Sequence, residues 1–168
     1  MTNLNQNDDA FFHSIKELIN SNLGQDVDIE MLKFITEFYF LFSVMEMKLA
    51  GGDFTLDRID YIANYVAKKD KESESIDKIY NFLRNRYSND EKHQVLMSGR
   101  KKAIELYSKI VAEIDEGDTS LVSKIKIILI VLYRIRNNLF HGAKLEHDLN
   151  IQNILFTNLN DALKIILI

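Results

Sequence analysis

The stretch Ile125-Lys126-Ile127-Ile128-Leu129-Ile130-Val131-Leu132-Tyr133-Arg134-Ile135-Arg136-Asn137-Asn138-Leu139-Phe140-His141-Gly142 decides how this chain folds. From Ile127 to Tyr133 it is apolar at every position, and no glycine or proline interrupts it before Gly142. No alternation of period two marks it as a half-buried strand. Thr119 or Ser120 stands where an N-cap is needed, and Gly142 stands where a helix stops. The segment is therefore expected to form one helix from about residue 120 to His141. A helix apolar on nearly all sides is either central in its domain or covered by a partner subunit.

Working outward, the same signals recur. Asp8 or Asp9 can cap a first helix through Phe11, Phe12, Ile15, Leu18 and Ile19, with Gly24 after its end. Asp26 or Asp28 can start a second, long helix to about Ala50, stopped by Gly51-Gly52. Thr55 is expected to cap a third from Leu56 to Lys68, and Ser75 a fourth carrying Ile76, Ile79, Tyr80 and Leu83. Ser88-Asn89-Asp90 breaks the pattern. A fifth helix then runs from about Glu91, or more securely Ser98, to Glu116, with Gly117 closing it, and a last one runs from about Leu149 to the end. The second helix is also strongly apolar from Phe34 to Met45. One small domain has room for a single wholly enclosed helix, so the other is expected at a dimer contact, to which the helix ending at His141 contributes.

Composition agrees. Among 168 residues there is no proline, where an average chain would carry roughly eight; proline is costly inside helices, so its absence favours a helical chain. No inter-domain linker or internal repeat appears. The expectation is an all-α fold over residues 1–168: a single domain, an up-and-down helical bundle with additional helices, and dimeric. The absence of cysteine excludes disulfides, thiolate metal sites and cysteine nucleophiles. Met1-Thr2-Asn3-Leu4-Asn5 lacks the character of a signal peptide, and no apolar run is long enough to span a bilayer, so a cytoplasmic location is expected. The net charge of −4 is not the global signature of a nucleic-acid binder. Any RNA contact has to come from a local basic patch.

Chemistry concentrates at the end of the apolar helix. Asn137 and His141 are four residues apart and share one face, which Tyr133 extends upward. Arg136 and His141 are five apart, roughly 140° around the helix, and flank that face. Arginine offers a planar fork matched to phosphate oxygens. Histidine moves protons near neutral pH, and a helix C-terminus favours its charged form. Basic residues also gather at helix C-termini for purely structural reasons.

The string Arg136-Asn137-Asn138-Leu139-Phe140-His141 resembles the Arg-x4–6-His signature of the HEPN superfamily, often written Arg-Asn-x3-His, which closes the penultimate core helix of a helical bundle. Arg136 to Gly142 is similar to members from antiviral defence and toxin–antitoxin loci, and Phe38 to Leu49, with Ser43 and Glu46, resembles the second core helix of such proteins. The stretch from about Gly51 to Gly117 does not align with them. The resemblance implies a homodimer with two Arg–His pairs facing each other. It implies a metal-independent endoribonuclease with no cofactor, cleaving RNA by attack of the 2′-hydroxyl to leave a 2′,3′-cyclic phosphate and a 5′-hydroxyl. By it, Arg136 holds the phosphate, His141 transfers protons and Asn137 orients phosphate or imidazole. RNA, a second copy and an antitoxin or defence-system protein are the implied partners. Some HEPN proteins are instead catalytically silent modules that bind a nucleotide or a protein, and that reading stands beside the first. HEPN toxins silenced by nucleotidyltransferase antitoxins carry a tyrosine two residues after the histidine; Ala143 stands there, so regulation by adenylylation at that position is not expected.

Glu46 and Tyr133 are secondary candidates. Glu46 continues the stripe Ile35, Tyr39, Phe42 at helical spacing, and a carboxylate pointing to that face needs a partner, for which Arg136 is suited; the alternative is a solvated Glu near a helix end. Arg134 and Lys144 are the nearby cations expected to steer RNA, although most such charges are simply solvated. Gly51-Gly52-Asp53-Phe54 reads as a helix stop and turn. Glu146-His147-Asp148 matches no metal-site spacing, so no metal is expected. His13 and His93 read as surface residues, and Arg100-Lys101-Lys102 as a solvated face.

Overall fold

A computed structural model describes residues 4–23, 26–69, 73–88, 101–140 and 152–168. Every regular element among them is helical: α1 is Leu4–Leu23, α2 Ile29–Leu49, α3 Ile59–Ala67, α4 Ser73–Tyr87, α5 Lys101–Asp115, α6 Leu121–Phe140 and α7 Asn153–Leu167. A 3-10 turn over Leu56–Arg58 leads into α3.

Helix ends follow local chemistry where the chain offers it. Asp28, in an extended conformation, caps α2 by accepting the Glu30 N–H. At the other end the Glu46 carbonyl accepts the N–H groups of Ala50 and Gly52. The chain turns there through Gly51 and Gly52, whose φ angles of 68° and 98° suit glycine. Ser120 accepts the Ser123 N–H at the start of α6. Thr55 has the extended backbone of a cap, but its side chain makes no capping bond. Asp8 and Asp9 do not start α1; they lie inside it. A helix anchored by packed Phe12, Ile15 and Ile19 propagates backwards through residues of ordinary propensity when no proline or glycine stops it.

Helix α6 is the central element. It packs against α3, α4 and α5, while α2 packs against α1 and α7, and α4 also reaches α7. Residues 127–132 are each no more than 1 % exposed within the single chain. The single chain therefore already encloses the middle of this helix. Helix α2 is different. It buries Met31, Leu32, Phe38, Phe42 and Met45, with Phe38 edge-on to Phe156 of α7 at 5.6 Å, but Phe40 and Met47 remain 69 % and 68 % exposed. Polar contacts also run through the α2–α7 seam. Buried Asn160 donates from Nδ2 to the Phe34 carbonyl at 3.1 Å and to Glu37 Oε2 at 2.9 Å.

Among the described residues no helix is long and apolar enough to cross a membrane.

Candidate functional site

The site grows from the turn that ends α2. Once Gly51 and Gly52 have reversed the chain, Phe54 folds back over the helix it has just left. Its ring meets Phe42 edge-on at 5.7 Å and Tyr133 of α6 at 5.9 Å. Its N–H donates to Glu46 Oε1 at 3.4 Å. The three rings form an apolar floor joining the end of α2 to the last turns of α6.

Arg136 lies along that floor. Its guanidinium carbon is 5.8 Å from the Phe42 ring centroid, a cation–π approach. Nη2 is 3.5 Å from Glu46 Oε1, and Nη1 donates to Asn137 Oδ1 at 3.0 Å. The Arg136 and Glu46 side chains keep 32 % and 15 % of their surface open. The expected proximity of Glu46 to Arg136 is therefore found, and the solvated alternative for Glu46 is not. Asn137 is buried and holds one edge of the guanidinium. Tyr133 is partly buried in the aromatic floor.

Tyr39, one turn before Phe42 on α2, also belongs to this surface, though sequence reasoning used it only as part of a stripe. Partial burial raises its hydroxyl pKa above the ordinary phenolic value, and the nearby positive charge of Arg136 opposes that rise. The stripe Tyr39, Phe42, Glu46 was the signal that could have placed it here.

Arg134 is placed differently from expectation. It is 1 % exposed, and its Nη2 donates to Asn138 Oδ1 at 3.4 Å, with Asn138 also buried. A guanidinium so enclosed does not meet RNA from solvent, so the steering role expected of Arg134 is withdrawn. The reason is angular: Arg134 and Arg136 are two residues apart and point roughly 200° away from each other on a helix. His141 and Lys144, the remaining members of the expected site, lie outside the described residues, as do Ala143, the Glu146-His147-Asp148 group, His93 and Arg100. His13 is exposed, as are Lys101 and Lys102.

The arrangement sets a partly exposed arginine beside the Glu46 carboxylate and against the Phe42 ring. A guanidinium fork can accept a phosphate in place of, or alongside, the carboxylate it now faces. No group of three or more His, Asp or Glu side chains able to hold a metal occurs among the described residues. Compared with family models, curated proteins and solved structures, the chain matches none.

Proposed function

We propose that this protein is a metal-independent endoribonuclease of a defence or toxin type, with Arg136, Asn137 and His141 as its catalytic residues. The observation that carries the reading is the Arg136 guanidinium. It lies near the end of the most enclosed helix of the fold, rests on Phe42 and belongs to a side chain that is 32 % exposed. The remaining support is the resemblance of Arg136 to His141 to the HEPN signature. In this reading Arg136 binds the scissile phosphate and offsets charge on the phosphorane. His141 takes the proton from the RNA 2′-hydroxyl as that oxygen attacks phosphorus; the bond from phosphorus to the 5′-oxygen breaks, and the imidazolium returns the proton to that oxygen, giving a 2′,3′-cyclic phosphate and a 5′-hydroxyl. Asn137 keeps the guanidinium oriented.

The active form is proposed to be a homodimer. Thr36, Phe40, Ser43 and Met47 recur on α2 at alternating spacings of four and three, the spacing of a helix–helix seam. Phe40 and Met47 provide the apolar part of that seam. Packing α2 against α2 of a second copy covers both and brings two Glu46–Arg136 surfaces towards the same interface. An antitoxin or defence-system protein is the further partner, and the cytoplasm the location, of this reading.

A second reading is favoured by the Glu46–Arg136 ion pair itself, since a carboxylate already occupies the fork, and by the net charge of −4. In it the protein is a catalytically silent module that binds a nucleotide or a protein. Incubating purified protein with mixed RNA, with and without EDTA, separates the two. Cleavage that survives EDTA and leaves 2′,3′-cyclic ends supports the first; intact RNA at high enzyme concentration supports the second.

A further inference from the structure

Helix α3 buries Ile59, Ile62, Ala63 and Val66, and it packs chiefly on α6. Its other face turns outward. Along that face stand Arg58, Tyr61, Tyr65, Lys68 and Lys69, all exposed, with Tyr61 open over 62 % of its surface. Tyr61 and Tyr65 are four residues apart and set their rings nearly parallel, centroids 6.4 Å apart and planes 18° from each other. Lys69, four residues further on, holds Nζ 4.6 Å from the Tyr65 ring centroid. Most lysines and arginines among the described residues face a carboxylate. Arg58, Lys68 and Lys69 form no ion pair among those residues. Of the two acidic residues between positions 57 and 69, Asp60 is taken by Lys126 of α6 at 2.7 Å, which leaves Asp57 against three cations. In a chain of net charge −4 this is a local positive surplus, and it surrounds a pair of exposed rings.

We propose that the outer face of α3 binds single-stranded RNA: a nucleobase stacks on Tyr61 while phosphates on either side meet Arg58 and the Lys68–Lys69 pair. Rings interleaved with cations suit an unpaired strand, because every base has a π-face and the cations follow the backbone. A paired base is stacked on its neighbours and presents no free face to the tyrosine. The inference rests on RNA being the substrate, as in the reading above, and deepens it by naming a binding surface outside the catalytic residues. Helix α3 lies within the stretch from Gly51 to Gly117, which does not resemble HEPN proteins, so its role is argued from its own residues alone. Its course also fits. Phe54 meets Tyr133 and Asp60 meets Lys126, so α3 begins nearer the Arg136 end of α6 and runs back along it. A strand held on α3 can therefore lead towards Arg136.

The test uses the full chain and a fluorescent 2′-O-methyl oligoribonucleotide, which cannot be cut by 2′-hydroxyl attack, with anisotropy as the readout. Tyr61→Leu should weaken binding about tenfold, the scale of one lost base stack, and Tyr61→Phe, which keeps the ring, should lose less. Arg58→Gln, Lys68→Gln and Lys69→Gln together should make the slope of log affinity against log salt shallower by about two, at roughly 0.7 for each phosphate contact on a single strand. All four side chains are exposed, so these changes leave the core untouched. A hairpin of the same sequence should bind the wild type more weakly than the unpaired strand, a measurement that needs no variant to fold. Wild-type binding that is unchanged in Tyr61→Leu and in the triple variant overturns the role of α3 and leaves the RNA reading standing. A polyglutamate peptide that competes as well as unlabelled strand overturns RNA in favour of an acidic protein partner. No binding by the wild type overturns this inference, and the cleavage assay, which scores turnover and not affinity, then decides the catalytic reading separately.

Discussion

Glu46 and Arg136, ninety residues apart in the chain, meet with Oε1 3.5 Å from Nη2 at the edge of an aromatic floor. Each partner remains partly open to water. The pair is therefore neither a deeply buried bridge, whose breaking costs several kcal/mol, nor a fully exposed one. On the proposed reading, the carboxylate competes with a phosphate oxygen for the Arg136 guanidinium.

Glu46→Gln keeps an acceptor for the Phe54 N–H and removes the charge that competes for the fork. RNA affinity should rise several-fold, while thermal stability changes by about 1 kcal/mol or less, as for partly solvated pairs. Anisotropy titrations beside thermal melts measure both. A loss of RNA affinity in this variant would show that Glu46 supports the site instead of competing for it.

His141→Ala should reduce RNA cleavage a hundredfold or more, on the order of a general acid–base contribution, and should cost about 1 kcal/mol or less of stability. Gel assays with RNA and with DNA of the same sequence check this, and DNA should remain uncut. Activity abolished by EDTA, or undiminished in the variant, contradicts the proposed chemistry.

Phe40→Lys and Met47→Lys together should convert a dimer to a monomer. Both side chains are mostly exposed in the single chain, so the monomer fold loses little packing. Light scattering at micromolar concentrations distinguishes the states. A wild-type protein that is already monomeric there removes the two-fold arrangement.

The start of α6 carries a pH-sensitive clasp. Asp118 accepts the Ser120 N–H at 2.9 Å and the Ser123 hydroxyl at 2.7 Å, and these bonds hold its carboxyl below the usual carboxylate range. A depressed folded pKa stabilises the fold above the unfolded pKa, and that contribution is lost as pH falls through the folded value. Asp118→Asn should thus be less stable than wild type at pH 7, with the difference closing below the ordinary aspartate pKa of about 3.9. Ser120→Ala, which removes the acceptor for the Ser123 N–H, should cost about 1 kcal/mol. Denaturant melts across pH test both.

Helical periodicity, the absence of proline and the capping residues determined that this chain is helical and where most helices stop. Asp28, Gly51-Gly52 and Ser120 act at those ends because capping is a contact between near neighbours, which sequence states directly. Sequence also placed Arg136 at the end of the most apolar helix and put Glu46 on a stripe with Tyr39 and Phe42. Tertiary structure alone decided what each face meets. Two helices looked equally apolar, yet α6 is enclosed by three neighbours while α2 leaves Phe40 and Met47 outside. Arg134 and Arg136 both read as cations of the RNA site, yet Arg134 turns into the protein and Arg136 onto the Phe42 ring and Glu46 carboxylate of α2. Period and spacing establish which residues share a face, because that is a property of one helix; which neighbour covers a face depends on contacts far apart in the chain.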